Sequence, residues 1–250
     1  MNTNLKPVLN ISAYLFTTLT DTQALRESIR SQASARSLKG TVLLAEEGIN
    51  LFLAGAPDAL RDFVGWLQRD ARFAALAPKE SGSDAVPFGK LLVKVKREII
   101  RMNHPQFRPE AGRAPAVDAK TLSRWLDAGR DDAGREVVML DTRNAFEVDH
   151  GRFHGAIDWR IAKFTEFPQA LREHAAELRG KTVVSYCTGG IRCEKAALFM
   201  AEAGVQNVLQ LEGGILKYFE EAGGRHFDGT CFVFDERESV DAALRPARSV

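Results

Sequence analysis

The chain of 250 residues lacks the features of membrane and secreted proteins. No apolar run approaches the ~18 residues of a membrane-spanning helix. The first residues have neither the basic start nor the long apolar stretch of a secretory signal. Three cysteines, an odd and small number, argue against a disulfide framework and fit a reducing compartment. We therefore expect a cytoplasmic protein that does not enter a membrane.

The sequence also lacks the motifs of common cofactor sites. There is no GxGxxG segment and no P-loop, so nothing indicates flavin, nicotinamide or ATP binding. The five histidines have no metal-ligand spacing, and the cysteines form no CxxC pair, so we expect no metal site. With 45% hydrophobic and 27% charged residues, the chain has the composition of an ordinary globular protein with one or two cores.

Positive charge is concentrated in one stretch of an otherwise balanced chain. Residues 86–115 contain seven basic residues and two acidic ones, whereas the whole chain has a net charge of +1. A local excess of this kind is typical of a polyanion-binding surface, although lysines also protect exposed sheet edges. The candidate substrate-binding cations here are Lys90, Lys94, Lys96 and Arg97, to which Arg101 adds a further docking charge.

The pattern of the chain predicts two domains. Residues 105–118 are rich in proline and glycine and have no period, which indicates a linker, drawn at 105–117. The predicted divisions are a first domain at 1–104, a second at 118–226, and a C-terminal tail at 227–250.

Strands and helices alternate in the first domain in the order β-α-β-β-α-β, which predicts a ferredoxin-like α+β sandwich. The segments 41–45 and 49–54 are expected to form a hairpin. The last strand is predicted at 90–97, where Leu91, Val93 and Val95 alternate with the lysines, so that the lysines share one solvent-facing side.

The second domain is predicted to be α/β, with a mostly parallel sheet and helices on both faces. The segment 182–186 is predicted to be a buried strand, and Cys187 follows it directly. Ligands of such sheets bind at the carboxyl ends of the strands, so the sequence places Cys187 at a functional edge.

Cys187 begins the segment CTGGIR, which has the composition of an anion-binding loop. Gly189 and Gly190 allow the backbone to turn its N–H groups inward. A helix N-terminus follows, and Arg192 adds a full positive charge. Together these features favour a thiolate, so we predict that Cys187 is a nucleophile supported by Arg192.

This loop resembles the active-site loop of the rhodanese superfamily. The segments LDTRNAFE from Leu140, GRFHGAI from Gly151 and LEGGI from Leu211 resemble further motifs of that superfamily. The six-residue loop from Cys187 to Arg192 matches sulfurtransferases, whereas the related dual-specificity phosphatases have a loop one residue longer.

A more specific resemblance, over about residues 8–240, is to the rhodanese-domain tRNA uridine hydroxylases. It rests on CTGGIRCEKA from Cys187, EEGIN from Glu46, FGKLLVKVKREI from Phe88, FTEFP from Phe164 and GTCFVFD from Gly229. The resemblance implies an N-terminal acylphosphatase-like (ferredoxin-like) domain and a C-terminal rhodanese domain. It also implies oxygen-dependent hydroxylation of the wobble uridine at C5, with Cys187 as the active-site cysteine, molecular oxygen as co-substrate and the tRNA anticodon arm, not DNA, as partner.

Other residues have two interpretations each. Arg143 would bind an anion near the Cys187 loop, or would pair with Glu147 on a helical turn. Cys193 would resolve an oxidised Cys187, or would simply pack against the sheet, which we favour. Cys231 lies in an apolar run and is expected in the core.

Two alternative functions remain open from the sequence. The loop alone equally supports a sulfurtransferase in which Cys187 carries a persulfide, supplied by thiosulfate or by a sulfur-donor protein. A third hypothesis is a catalytically idle rhodanese module that binds proteins. Many longer members of the family carry a cysteine-rich extension that this sequence does not show, and the segment after Ile100 differs from the expected version.

Overall fold

The computed structural model describes residues 6–247, which divide into two compact units. The first unit comprises residues up to Ile100 together with Phe234–Glu238, and the second comprises Arg101–Val233 and the residues from Ser239 onward. The predicted 227–250 tail is therefore not a separate segment, because part of it belongs to each unit. Within residues 6–247, no helix combines the length and the apolar composition needed to cross a bilayer.

The first unit is a five-stranded sheet covered by two helices. Its elements are β1 (Val8–Phe16), α1 (Thr22–Ala35), β2 (Lys39–Ala45), β3 (Gly48–Gly55), α2 (Pro57–Gln68), β4 (Lys79–Ser83) and β5 (Leu91–Val95). The strand order is β4-β1-β3-β2-β5, and all neighbours are antiparallel except β2 and β5, which are parallel. This arrangement confirms the predicted α+β sandwich and the hairpin of β2 and β3.

The core of the first unit lies between the sheet and the helices. Leu25 and Ile29 of α1 and Phe63 of α2 are buried against alternate strand residues such as Leu51 and Leu53. The spacing of these apolar residues, about one helical turn apart, explains why one face of each helix is covered. The other face of the sheet carries Asn10, Phe52 and Lys94, the residues that alternate with the core positions.

The prediction that the lysine-bearing strand at 90–97 directly follows the second helix was wrong. The strand that follows α2 is β4, Lys79–Ser83, which pairs with β1, whereas the lysine-bearing β5 is an additional strand at the opposite edge. The sequence KESGS has no apolar alternation, so periodicity did not reveal it. Its position is fixed by backbone pairing and by the Asn10 amide, which donates to the Ser81 carbonyl and the Ser83 hydroxyl oxygen.

The second unit is a parallel sheet flanked by helices. Its main elements are β6 (Ala116–Val117), α3 (Ala119–Ala128), β7 (Val137–Asp141), α4 (Ala145–Val148), β8 (Gly151–Phe153), α5 (Phe167–His174), β9 (Thr182–Tyr186), α6 (Ile191–Glu202), β10 (Val208–Leu211) and α7 (Gly214–Ala222). The sheet order β6-β10-β9-β7 is parallel throughout, as predicted. The predicted linker at 105–117 ends in β6, so its last two residues belong to this sheet.

Three short strands complete the second unit, namely β11 (Phe227–Gly229), β12 (Cys231–Phe232) and β13 (Ser239–Val240). β11 pairs with β8, and β12 pairs with β13. Between β12 and β13 the chain passes through the 234–238 segment of the first unit, where Arg237 donates to the Ser81 hydroxyl at 2.8 Å. Cys231 is buried among the apolar residues of the second unit, which confirms its predicted core position.

Candidate active site

The Cys187 loop connects the central strand of the second unit to a buried helix. Every residue of β9 is buried, and Cys187 follows it at the carboxyl end, where α6 begins four residues later at Ile191. Gly190 has a φ of +98°, a left-handed conformation that favours glycine. This turn lets the Gly190 N–H donate to the Cys187 Sγ at 3.1 Å. The Gly190 amide of the predicted anion cradle is therefore aimed at the sulfur, while Gly189 lies in the same loop.

The first turn of α7 binds two carbonyl groups of the Cys187 loop. The N–H groups of Ile215 and Leu216, at the start of α7, donate to the carbonyls of Cys187 and Thr188 at 3.0 and 3.1 Å. Gly214 permits this approach, because a Cβ there would lie 2.5 Å from the Cys187 carbonyl oxygen and 2.7 Å from the Gly190 nitrogen. With these carbonyls bonded to α7, the loop amides are free to face the sulfur.

Arg192 is held by a carboxylate that the sequence analysis did not assign to the site. The Glu147 carboxylate accepts two hydrogen bonds from the Arg192 guanidinium, at 2.6 and 2.7 Å, and a third from the Asn144 N–H at 3.1 Å. Both charged side chains are buried. Burial raises the pKa of Glu147, but the charge and hydrogen bonds of Arg192 outweigh it and lower the pKa below its usual range. The ion pair therefore stays charged and fixes the guanidinium.

One nitrogen of the Arg192 guanidinium has no acceptor. The Arg192 Nε is buried and has no hydrogen-bond partner among the described residues. A buried donor of this kind is energetically costly unless a ligand or water satisfies it. An anionic adduct on Cys187, or an oxygen of a bound substrate, would supply the missing acceptor.

The predicted role of Arg143 in substrate binding needs correction. Arg143 is 0% exposed, and its guanidinium donates to both oxygens of Asp141, at 2.9, 3.2 and 2.6 Å. It also donates to the backbone carbonyl of Gly151 at 2.7 Å. Its guanidinium does not face an open anion-binding site, and it forms no ion pair with the carboxylate of Glu147. Its hydrogen bonds instead join the end of β7 to the chain that follows α4. Arg143 therefore stabilises the backbone around the site.

The ionisation of Cys187 is governed by opposing effects. Burial raises its pKa, but a hydrogen bond from Cys193, the charge of Arg192 and the amides of Arg192 and Gly190 lower it to about 5. Burial and the neighbouring thiolate raise the pKa of Cys193 well above its usual range. Cys187 is therefore the thiolate of the pair, and Cys193 remains a thiol. Packing against the sheet was the role we favoured for Cys193, and its lowering of the Cys187 pKa adds a second role.

Cys187 has no exposed surface in this structure. Its surroundings are polar, because the Gly190 amide and the charge of Arg192 face it. A substrate of any kind therefore reaches the sulfur only after the residues around the loop separate locally.

The four predicted cations of the first unit lie at the edge strand β5. Lys94 is within the strand, Lys90 precedes it, and Lys96 and Arg97 follow it, and all four are exposed. Val93, which alternates with Lys94, is buried, as predicted. Within residues 6–247, no group of three His, Cys, Asp or Glu side chains is arranged to hold a metal ion.

The fold and the cysteine loop define the class of protein. The family model described as "UPF0176 acylphosphatase like domain" matches residues 8–99, and the model described as "Rhodanese-like domain" matches residues 118–221. The chain is thus an acylphosphatase-like domain joined to a rhodanese domain.

Similar proteins narrow this class to one family. A "tRNA uridine(34) hydroxylase" of Bordetella pertussis is 69% identical over 239 residues, which cover 96% of this chain and 98% of that protein. A protein of the same name from Variovorax paradoxus is 62% identical over 255 aligned positions, which cover 98% and 97% of the two chains. The chain belongs to the tRNA uridine(34) hydroxylase family.

Proposed function

We propose that this protein hydroxylates the wobble uridine of tRNA at C5, using Cys187 as the nucleophile and molecular oxygen as co-substrate. The names of its relatives give the reaction class. The single observation that supports Cys187 as the nucleophile is the environment of its sulfur. The sulfur accepts a hydrogen bond from the Gly190 N–H at 3.1 Å, and the positive charge of Arg192 lies nearby. Such a thiolate is ionised at neutral pH and is nucleophilic.

The chemistry begins with addition of the Cys187 thiolate to C6 of uracil. The electron pair moves to C5, and the resulting enolate places negative charge on the C4 oxygen. The free Nε of Arg192 is a buried donor that would stabilise such a charge. The electron pair at C5 then forms a C–O bond to oxygen, and the peroxide anion that results takes one proton from solvent to give a hydroperoxide.

The remaining steps restore the ring and the enzyme. An external dithiol supplies two electrons and two protons, which reduce the hydroperoxide to a C5 hydroxyl group and water. Loss of the C5 proton and expulsion of the thiolate from C6 then give 5-hydroxyuridine and free Cys187. The net reaction consumes one uridine, one oxygen molecule, two electrons and two protons. The chain needs no resident cofactor in this scheme.

The first unit would bind the phosphate backbone of the anticodon arm. Lys90, Lys94, Lys96 and Arg97 are exposed and point away from the core of their unit, as cations that contact a polyanion must. Single-stranded loop bases are readily splayed out, so the wobble base can enter a protein site once the arm is held. We place the protein in the cytoplasm, where such a substrate is available.

Nucleoside analysis by mass spectrometry tests the proposal. Purified protein, a dithiol and tRNA lacking 5-hydroxyuridine are incubated under air, under nitrogen and under ¹⁸O₂. We expect 5-hydroxyuridine only with oxygen, with the label in the product. Absence of product, together with rapid thiocyanate formation from thiosulfate and cyanide, would instead favour the sulfurtransferase and its sulfur-donor partner.

A further inference from the structure

Two arginines of α1 converge on one backbone carbonyl at the edge of the first unit's sheet. The Arg26 Nε lies 3.3 Å from the Val93 carbonyl oxygen, and the Arg30 Nη2 lies 3.2 Å from the same oxygen. Val93 is in the middle of β5, which pairs with β2 on one side only. The carbonyl therefore points out of the free edge, and both guanidinium groups lie there.

The geometry brings two like charges together. The two donor nitrogens share one acceptor, so they lie at most about 6.5 Å apart. Arg26 and Arg30 are also four residues apart on one helix, a spacing at which like charges destabilise the helix. The Glu27 Oε1 lies 3.5 Å from the Arg26 Nη1. Within residues 6–247 the structure describes no ion pair for Arg30. The local charge is therefore positive and incompletely compensated.

Protection of the sheet edge does not account for both arginines. A charged side chain beside an edge strand prevents pairing with another chain, and the exposed Lys94 in β5 already does so. One guanidinium is sufficient to satisfy one carbonyl. Each guanidinium has five N–H donors, so most donors of this pair remain available for a further acceptor.

Further cations extend from this pair along the edge. Lys94 is next to Val93 in β5, and Lys90 precedes the strand. The Gly40 N–H donates to the Lys90 carbonyl at 3.0 Å, so the exposed Lys39 is beside Lys90. A negatively charged group with several oxygens would fit between two guanidinium groups, because planar guanidinium groups bind phosphate bidentately.

We propose that Arg26 and Arg30 form a phosphate-binding pair that holds a phosphodiester of the RNA substrate at the free edge of β5. This inference rests on the proposed function, because it takes the tRNA as the polyanion. The pair would fix one point of the RNA backbone, and the lysines of β5 would contact the neighbouring phosphates. These contacts position the RNA and do not select its sequence.

Salt-dependent binding of tRNA to the full chain tests this inference. In the double variant Arg26→Gln/Arg30→Gln, the slope of log K against log salt should become less steep by about 0.7–0.9 for each phosphate that the variant no longer neutralises. The KM for tRNA should rise while kcat is unchanged, because the pair lies outside the chemistry. Arg26→Lys/Arg30→Lys keeps the charge but removes the planar fork, so its KM should be intermediate.

A matched control removes the same charge from the other helix of this unit. Arg61→Gln/Arg69→Gln on and just after α2 should leave the slope and the KM at wild-type values. Thermal unfolding of all variants shows whether they fold. Equal effects of the two double variants, or an unchanged slope in Arg26→Gln/Arg30→Gln, would overturn the proposal.

The outcome separates this inference from the proposed function. If the wild type forms 5-hydroxyuridine but the Arg26/Arg30 variant binds tRNA normally, only the phosphate-binding pair is wrong. If the wild type forms no 5-hydroxyuridine while the variant still shows the smaller slope, the pair binds RNA and the proposed reaction is wrong.

Discussion

The arginines near Cys187 in the second unit and the lysines of β5 in the first lie in opposite environments. In the second unit Arg143 and Arg192 are buried, and each faces a carboxylate oxygen at 2.6 Å. In the first unit Lys94 and Lys96 are exposed at an edge strand, and the structure describes no ion pair for them within residues 6–247. A buried cation requires a partner because desolvation is costly, whereas an exposed one keeps its donors available.

This difference in burial and pairing suits the two sets of cations to different tasks: the arginines position the reacting groups, and the lysines bind the substrate. Each of the paired arginines is held by several hydrogen bonds, and the charge of Arg192 lies beside the Cys187 sulfur. The exposed lysines are free to exchange solvent and counterions for a polyanion. Substitutions in the second unit should therefore affect chemistry and stability, and substitutions at β5 should affect binding and its dependence on salt.

The largest expected effect is on the reaction itself. Cys187→Ser replaces a thiolate with a hydroxyl group that stays protonated at neutral pH, so 5-hydroxyuridine formation should fall by a factor on the order of 10³ or more. Binding of tRNA should be unchanged. Cys231→Ala, which alters a buried cysteine of the core, should retain activity within a few-fold. Near wild-type product formation by Cys187→Ser, measured by mass spectrometry, would remove Cys187 from the mechanism.

The buried ion pair predicts the next largest effect. Glu147→Gln keeps the shape of the side chain but leaves the Arg192 charge uncompensated, which should lower the free energy of unfolding by about 3–5 kcal/mol. The matched control is Asp149→Asn, which breaks the exposed pair with Arg160 and should lower the free energy of unfolding far less than Glu147→Gln does. Urea denaturation measures both. Equal losses in the two variants would show that burial does not distinguish these pairs.

Two glycines with nearly the same positive φ test how closely α7 supports the Cys187 loop. Gly214 and Gly129 have φ of +68° and +69°, but only Gly214 lies against backbone atoms of the Cys187 loop, whereas Gly129, just after α3, has nothing within 4 Å. Gly214→Ala should therefore destabilise by about 2–3 kcal/mol and lower kcat, while Gly129→Ala should cost about 1 kcal/mol through its left-handed conformation alone. Urea unfolding and single-turnover rates measure these differences. If the two variants behave alike, the close approach of α7 has no role in shaping the loop.

The thiolate predicts a pH profile. With a pKa of about 5, Cys187 is ionised above that pH, so its alkylation by iodoacetamide should be half-maximal near pH 5 and constant by about pH 7. Cys193→Ala removes the S–H donor and should shift the profile to higher pH. Cys193→Ser keeps a donor and should shift it less. Identical profiles for the three proteins would mean that Cys193 does not stabilise the thiolate.

The sequence predicted the parts of this molecule that depend on local patterns. The buried β9 and the glycines after Cys187 are contiguous, so the loop was recognisable from one segment. The alternation of Val93 and Lys94 likewise follows from the period of a strand. In each case one short window contains both the residues and their structural cause.

The parts that were missed depend on contacts between distant segments. Glu147 meets Arg192 across 45 residues, and no local spacing distinguishes that pairing from one with Arg143, although the DTRNAFE segment contained both residues. β4 has a polar sequence and is a strand only because β1 pairs with it. Arg26 and Arg30 reach Val93 across more than 60 residues. Their roles follow from the tertiary structure alone.

The smallest expected effect concerns tRNA binding by a single exposed lysine of β5. Lys94→Gln removes one charge from β5, so tRNA affinity at low salt should fall a few-fold and the salt slope should become less steep by about 0.7–0.9. The unfolding free energy should stay within about 0.5 kcal/mol of wild type, because Lys94 is exposed and its substitution leaves no buried group unpaired. Lys120→Gln, an equally exposed lysine at the start of α3 in the second unit, should change neither affinity nor slope. If Lys120→Gln weakens binding as much as Lys94→Gln, the tRNA responds to overall charge, and capture of the substrate does not belong to the first unit.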